Sequence, residues 1–399
     1  MISITGFTHR DALRDLIRRW MLDQLEPSDT TELLQLVHFN SVYVGRYLPI
    51  LAEGILRRLR GSRLSSRASF TKGDLKDQLV AHLPRASERA DRLIAAYRAE
   101  PGLYYRETPY CGRLYFVEGD GRRIYAGSSR IKRIRRLAEK SARRVVDWLY
   151  GEIRRRAPLG PVDPEACFGR PVDETGEGQR APVLMLRRSE RELLRRLRAA
   201  GPDRLSDDLE VNDVAGIKVI VEPGDEGRLL GVLQELGCRL VEREIHRGDY
   251  QAVNLLVDYS PDRGRILAQA LPAKVLRVFR DHGIGAETAN RWFDAFIAGG
   301  EPSARVEIIY SDYEETLEGE IGRCMHEDRI IRQRRLHAYQ SQLAQNVEFL
   351  LELIFTLPAA PDARLERLPV RLWDRYLPDY FDEVKRALFR LPSVELNPD

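Results

Sequence analysis

Cysteine and histidine are scarce in this chain. Four cysteines, Cys111, Cys167, Cys238 and Cys324, and seven histidines are scattered through 399 residues. There is no CxxC pair, no HExxH and no cysteine–histidine set at zinc spacing. That argues against a disulfide framework and against a metal site built on thiolate or imidazole. Reduced thiols in a cytoplasmic protein are expected. No apolar run is long enough to cross a bilayer and the N-terminus has no leader pattern, so a membrane partner is not expected. An excess of one charge is missing as well: 64 Lys and Arg face 61 Asp and Glu, a formal net of +3. Contact with phosphate or nucleic acid must therefore come from local clusters.

The length suggests two or three domains. Residues 1–108 carry helical spacing, in Ala12, Leu13, Leu16, Ile17, Trp20 and Met21 and again in Val42, Leu48, Leu51, Ala52, Ile55 and Leu56. They predict a helical domain used for packing or partner recognition. Residues 109–156 change character. Leu114–Val117 and Arg123–Ala126 flank Gly119-Asp120-Gly121, which predicts a β-hairpin. A helix is expected next, with Arg130, Lys132, Arg133, Arg135, Arg136, Lys140, Arg143 and Arg144 outside and Ile131, Ile134, Leu137, Val145, Val146 and Leu149 inside. Two readings stand together here. One is a solvated basic face; the other is a contact for nucleotide or RNA phosphate through Arg130, Lys132, Arg133 and Arg136. So many like charges within a few turns repel unless something offsets them.

Gly127-Ser128-Ser129 has the composition of a nucleotidyltransferase Gly-Ser turn, but Asp213, the carboxylate it should precede, is far downstream, so that role is rejected. Tyr115 with Tyr125-Ala126-Gly127 resembles the entry of a GIY-YIG nuclease, without a catalytic Glu that can be placed. Residues 157–182, rich in Pro, Gly, Asp and Glu, predict a linker. From 183 to 356 strands and helices alternate. Asn212-Asp213-Val214-Ala215-Gly216-Ile217-Lys218-Val219-Ile220-Val221 predicts a buried strand with an acid at its entrance, and Gly216 leaves room for a close approach. Residues 225–236 predict a helix, while 239–245, 250–259 and 305–311 predict strands. A helical stretch at 264–298 intervenes, and one or two long helices fill 313–356. Residues 357–399 predict a C-terminal helical extension.

Four segments in order carry a family resemblance: the Arg-rich helix Arg187–Arg198, Asp213-Val214-Ala215-Gly216-Ile217-Lys218, Gly248-Asp249-Tyr250-Gln251-Ala252-Val253-Asn254, and Val306-Glu307-Ile308-Ile309. Over residues 185–330 the chain resembles the synthetase domain of the RelA/SpoT family, the alarmone pyrophosphokinases. The resemblance implies a mixed-sheet nucleotidyltransferase-like domain. It also implies transfer of pyrophosphate from ATP to a ribose 3′-hydroxyl with Mg²⁺, the acceptor being GDP/GTP, another nucleotide or tRNA. Asp213 and Glu307 become the catalytic, metal-holding carboxylates. Arg187, Arg188, Arg191, Arg195, Arg196, Lys218, Tyr250 and Asn254 become nucleotide contacts.

The sequence departs from the family pattern mainly on the acceptor side. Asn254 and Ala252 replace the family His and Ser, Ser311 stands near the place of an Arg, and the preceding basic loop is shortened to Glu244–Arg247. The insertion at 260–304 is expected to rebuild that pocket. The hydrolase domain of the family has no counterpart in 1–180. The alternative reading is a catalytically inactive relative that senses a nucleotide or binds RNA or protein. The sequence leaves self-association into a homo-oligomer open.

Overall fold

The computed structural model describes residues 2–61, 63–84, 87–119, 121–156, 188–197, 199, 209–248, 251–323, 325–335, 341–361 and 364–392. Arg187, Tyr250 and the expected linker at 157–182 lie outside them. The strands are β1 (Ile2–Ile4), β2 (Leu64–Thr71), β3 (Pro109–Gly119), β4 (Arg122–Ile131), β5 (Leu209–Val211), β6 (Ala215–Ile220), β7 (Arg239–His246), β8 (Ala252–Tyr259) and β9 (Ala304–Ser311). The first helices are α1 (Arg10–Met21), α2 (Asp29–Arg60), α3 (Lys72–Ala81), α4 (Glu88–Ala99) and α5 (Ile134–Arg156). Then come α6 (188–197), α7 (Glu226–Glu235), α8 (Arg263–Leu267), α9 (Ala273–Asp281) and α10 (Ala286–Gly299). The last are α11 (Tyr313–Ile321), α12 (His326–Arg335), α13 (Gln342–Thr356) and α14 (Pro378–Phe389). Among the described residues no helix is long and apolar enough to cross a membrane.

The fold is mixed α/β. Seven strands form one sheet in the order β2-β3-β4-β6-β9-β8-β7. Only β6 and β9 run parallel, with Gly216 beside Glu307; every other pairing in this sheet is antiparallel. A parallel pair needs a long crossover, here the stretch carrying α7, β7, β8 and α8–α10. Strand alternation then sorts the two faces. Ala215, Ile217 and Val219 of β6, with Val306, Ile308 and Tyr310 of β9, join the large core shared with α1, α2, α5 and α13. On the other face α3, α4 and α11 cover β3 and β4 through Leu75, Leu79, Ile94, Leu114, Phe116 and Leu317.

Several expectations change. The hairpin of 109–131 is part of the main sheet, because β4 pairs along β6 from Gly127–Val219 to Ile131–Ala215. Residues 1–108 are not all helical: β1 pairs with β5 and β2 forms a sheet edge. Leu64–Thr71 is mostly polar and half exposed, so it lacks the alternation that marks a strand. Arg130 lies in β4, one residue before its end, and the basic helix begins only at Ile134. Among the described residues, three helices rather than one or two fill 313–356. The 260–304 segment packs on α2, with Phe279 stacked on Phe39 at 4.9 Å and Phe293 edge-on to it at 5.3 Å. Its burial there answers the apolar face of α2, and it lines neither cavity described below.

Candidate functional site

The sheet face turned away from the large core carries polar side chains in two rows. Arg130, Gly216 and Glu307 are neighbours across β4, β6 and β9. One step along each strand pair, Ser128, Lys218, Ile309, Asn254 and Glu244 form the second row, across β4, β6, β9, β8 and β7. Gly216 is the gap in the first row. A Cβ placed there would lie 3.7 Å from Glu307 Oε2 and 3.9 Å from Arg130 Nε, so both side chains lean over the bare backbone. Asn254 Nδ2 donates to Glu307 Oε1 at 3.4 Å. No hydrogen bond or ion pair forms to Arg130 among the described residues, although it borders both cavities on this face.

Those cavities adjoin. The larger measures about 1160 Å³ and runs between the sheet, α5 and α12. The smaller measures about 210 Å³ and lies over β6, β8 and β9. Asp213, Arg130, Asn254, His246 and His326 line both. Glu307 and Lys218 line the smaller, and Lys132, Arg133, Arg136, Lys140, Arg143 and Arg144 the larger. The wall is thus strongly cationic, with carboxylates at its floor.

Asp213 stands at the entrance of β6, and its position is set from three sides. Thr5 donates to Asn212 Oδ1 at 2.7 Å, tying the turn to the N-terminal strand. Arg305 N–H donates to the Thr5 carbonyl at 2.9 Å. Lys132 N–H donates to the Val214 carbonyl at 2.7 Å, which lays the β4–α5 connection beside the turn. Lys132 and Lys140 then both meet Asp213 Oδ2. Burial by itself would raise the Asp213 carboxyl, but the two ammonium groups outweigh it and hold it well below the usual range. Burial, above all, pulls Lys132 down to about 8, and nearby Lys140 and Arg130 act in the same direction against Asp213. The other carboxylate oxygen, Asp213 Oδ1, is buried with no hydrogen-bond partner among the described residues.

Beneath the smaller cavity lies a second charged cluster. Glu320 accepts from Lys218 and Lys72, each at 2.7 Å. Glu327 meets Lys72 at 3.3 Å and Lys76 at 3.4 Å. Glu320 is 3% exposed and Lys76 is fully buried. Burial would raise the Glu320 carboxyl; Lys218 and Lys72 override that and hold it well below its ordinary value. Burial lowers Lys218 despite Glu320. His326, next to this cluster, is held well below its ordinary value by burial and by Arg130, Lys72 and Lys218.

The structure brings together Asp213, Glu307, Asn254, Arg130, Lys132, Arg133 and Arg136 of the residues expected from sequence. Lys218 joins them but is bound to Glu320. Arg188, Arg191, Arg195 and Arg196 are exposed on α6 and line neither cavity, and Arg195 and Arg196 pair with Glu192. The cations that face the carboxylates come instead from β4 and α5. Tyr115 and Tyr125 are buried, and the Tyr115 hydroxyl meets Ser129 Oγ at 2.9 Å, so the hairpin presents no nuclease face. Gly127-Ser128-Ser129 is strand, not turn, yet it lies beside the strand of Asp213 despite its distance in sequence.

Lys140, Lys72, Lys76, Glu320, Glu327 and His326 were not singled out as site residues from sequence. A signal for Lys72 and Lys76 existed: they are four apart on a helix whose Leu75 and Leu79 point inward. Among the described residues no group of three or more His, Cys, Asp or Glu is arranged to hold a metal ion. Mg²⁺ needs less, since one or two carboxylates plus substrate phosphates suffice. The unpartnered Asp213 Oδ1 and nearby Glu307 on the same cavity fit that donor set. No family description, curated protein or solved structure matches the chain.

Proposed function

We propose that the chain is an ATP-dependent pyrophosphokinase of RelA/SpoT synthetase type, which transfers pyrophosphate to a ribose 3′-hydroxyl and releases AMP. One observation carries the reading. Asp213, at the entrance of β6, and Glu307, on the neighbouring parallel strand β9, share a cavity with Arg130, and Lys132 and Lys140 line the adjoining cavity that Asp213 and Arg130 also border. A polyphosphate needs cations along its length, and its transfer needs fixed positive charge where negative charge develops. Arg130, whose side chain has no partner among the described residues, is suited to a bidentate phosphate contact. Lys132 and Lys140 hold the ATP phosphates in the same wall, in the role the resemblance gave to the 187–198 helix.

Asp213 and Glu307 would hold Mg²⁺ together with the ATP phosphates. An ion held there would supply charge screening for the phosphates and strengthen the electrophile. Glu307, oriented by Asn254, accepts the proton of the 3′-hydroxyl. The 3′-oxygen bonds to the β-phosphorus as the bond to the α-phosphate bridging oxygen breaks, and AMP departs. Lys132 and Lys140, which meet Asp213 in the absence of nucleotide, would turn toward the phosphates of the bound nucleotide.

A second reading is a nucleotide- or RNA-binding module without turnover. The contact of Asp213 with two ammonium groups favours it, because a neutralised carboxylate is a poorer metal ligand. The separating experiment is incubation with labelled ATP, Mg²⁺ and a panel of nucleotides and tRNA, beside Asp213→Asn. AMP and a pyrophosphorylated acceptor, both lost in the variant, support the kinase. Nucleotide binding without AMP supports the module.

A further inference from the structure

His326 opens α12 at the junction of the two cavities and lines both. Its Nδ1 lies 3.3 Å from Arg329 Nη2. A guanidinium only donates, so Nδ1 must accept, and the ring proton is assigned to Nε2. Nε2 has no hydrogen-bond partner among the described residues and is not among the sealed polar atoms. The ring therefore offers one N–H on the side away from Arg329.

Burial and the groups around it set its charge. Arg130 comes from β4, Lys218 from β6, Lys72 from α3, Glu320 from α11 and Arg329 from its own helix. Burial, above all, holds the imidazole well below its ordinary value, and Arg130, Lys72 and Lys218 act in the same direction against Glu320, which keeps the ring neutral. A neutral imidazole here is not a competing counter-ion for Asp213 or Glu307. Such a group acts as a fixed hydrogen-bond donor rather than a proton carrier. Anions are what this corner attracts, since Arg130, whose side chain has no partner among the described residues, borders the same space.

We propose that His326 donates a hydrogen bond through Nε2–H to a phosphate oxygen of the bound nucleotide, as a neutral positioning donor. The inference rests on the proposed function, in that a nucleotide polyphosphate occupies the cavity.

The test pairs two substitutions. His326→Gln places an amide N–H near the position of Nε2, whereas His326→Phe keeps the bulk and removes the donor. Binding of a non-hydrolysable ATP analogue with Mg²⁺ is measured by calorimetry for the full chain and both variants. His326→Phe is expected to weaken binding roughly ten- to a hundredfold, the range of one hydrogen bond to a charged group. His326→Gln is expected to recover most of it. Nitrogen-15 spectra of the unsubstituted protein are expected to show a protonated Nε2 and an unprotonated Nδ1, with the Nε2 resonance moving when the analogue binds.

Equal binding by the unsubstituted protein and His326→Phe would overturn the inference and leave the proposed function standing. So would a binding curve for the unsubstituted protein that titrates near pH 6.5 and loses that step in His326→Gln, because it would make His326 a charged contact. Failure of the unsubstituted protein to bind the analogue would remove the proposed function and this inference together.

Discussion

Replacing Asp213 by Asn tests both the architecture of the site and its use. The carboxylate is 20% exposed and meets Lys132 and Lys140, which are 12% and 32% exposed. Removing one partner of a buried pair costs about 3–5 kcal/mol. Here solvent reaches all three groups, and Asn retains one oxygen that accepts from one ammonium, so the expected loss at pH 7 is about 2–3 kcal/mol. An escape route caps it: without Asp213, Lys132 falls below its present value of about 8 and sheds its proton more readily.

The pH dependence gives a sharper check than the magnitude. The folded-state carboxyl lies below its ordinary value of 3.8. Its stabilisation is therefore complete above that value and drains as pH falls toward the folded-state value. Between pH 7 and pH 3 the gap between the two proteins should shrink by about 1 kcal/mol. Urea unfolding followed by tryptophan fluorescence measures both numbers. A gap under about 0.5 kcal/mol at pH 7, or one that widens on acidification, would refute the assignment of Asp213 as the counter-ion of the two lysines.

Three further outcomes are expected. Because Lys132 sits near 8 in the fold against 10.5 ordinarily, the unfolded chain binds more protons between those values; the unsubstituted protein should gain about 2 kcal/mol from pH 8 to pH 10, a rise that Lys132→Met lacks in the same urea titration. Glu320→Ala leaves Lys218 and Lys72 facing each other in the interior and should destabilise by about 3–5 kcal/mol, whereas Glu320→Leu with Lys218→Met should cost clearly less; equal losses would dissolve the claim that the cluster acts through charge. Gly127→Ala puts a Cβ 2.3 Å from the Lys218 carbonyl, a backbone atom that cannot step aside, and calorimetric melting should show a loss of about 1–3 kcal/mol.

Much of the architecture around Asp213 was legible as a string of residues. The apolar run after it, the alternation in 305–311 and the paired turns around Gly119–Gly121 are local patterns, and local patterns report strands and hairpins. They sufficed to place Asp213 at a strand entrance and Glu307 inside another strand. Even the density of cations at 130–144 carried a hint, since such a run calls for an offsetting partner.

The partners were not legible, because which strand lies beside which is settled by burial over long separations. Arg130, Lys132 and Lys140 reach the entrance of β6 through the antiparallel pairing of β4 with β6. The intervening chain is long, and the resemblance pointed instead to the arginines of 187–198, of which Arg188, Arg191, Arg195 and Arg196 line neither cavity. Lys72 and Glu320 meet from opposite ends of the chain at 2.7 Å for the same reason: helices α3 and α11 cover one sheet face, and charges buried there survive only when paired. Periodicity therefore assigned the elements, and the packing of those elements assembled the site.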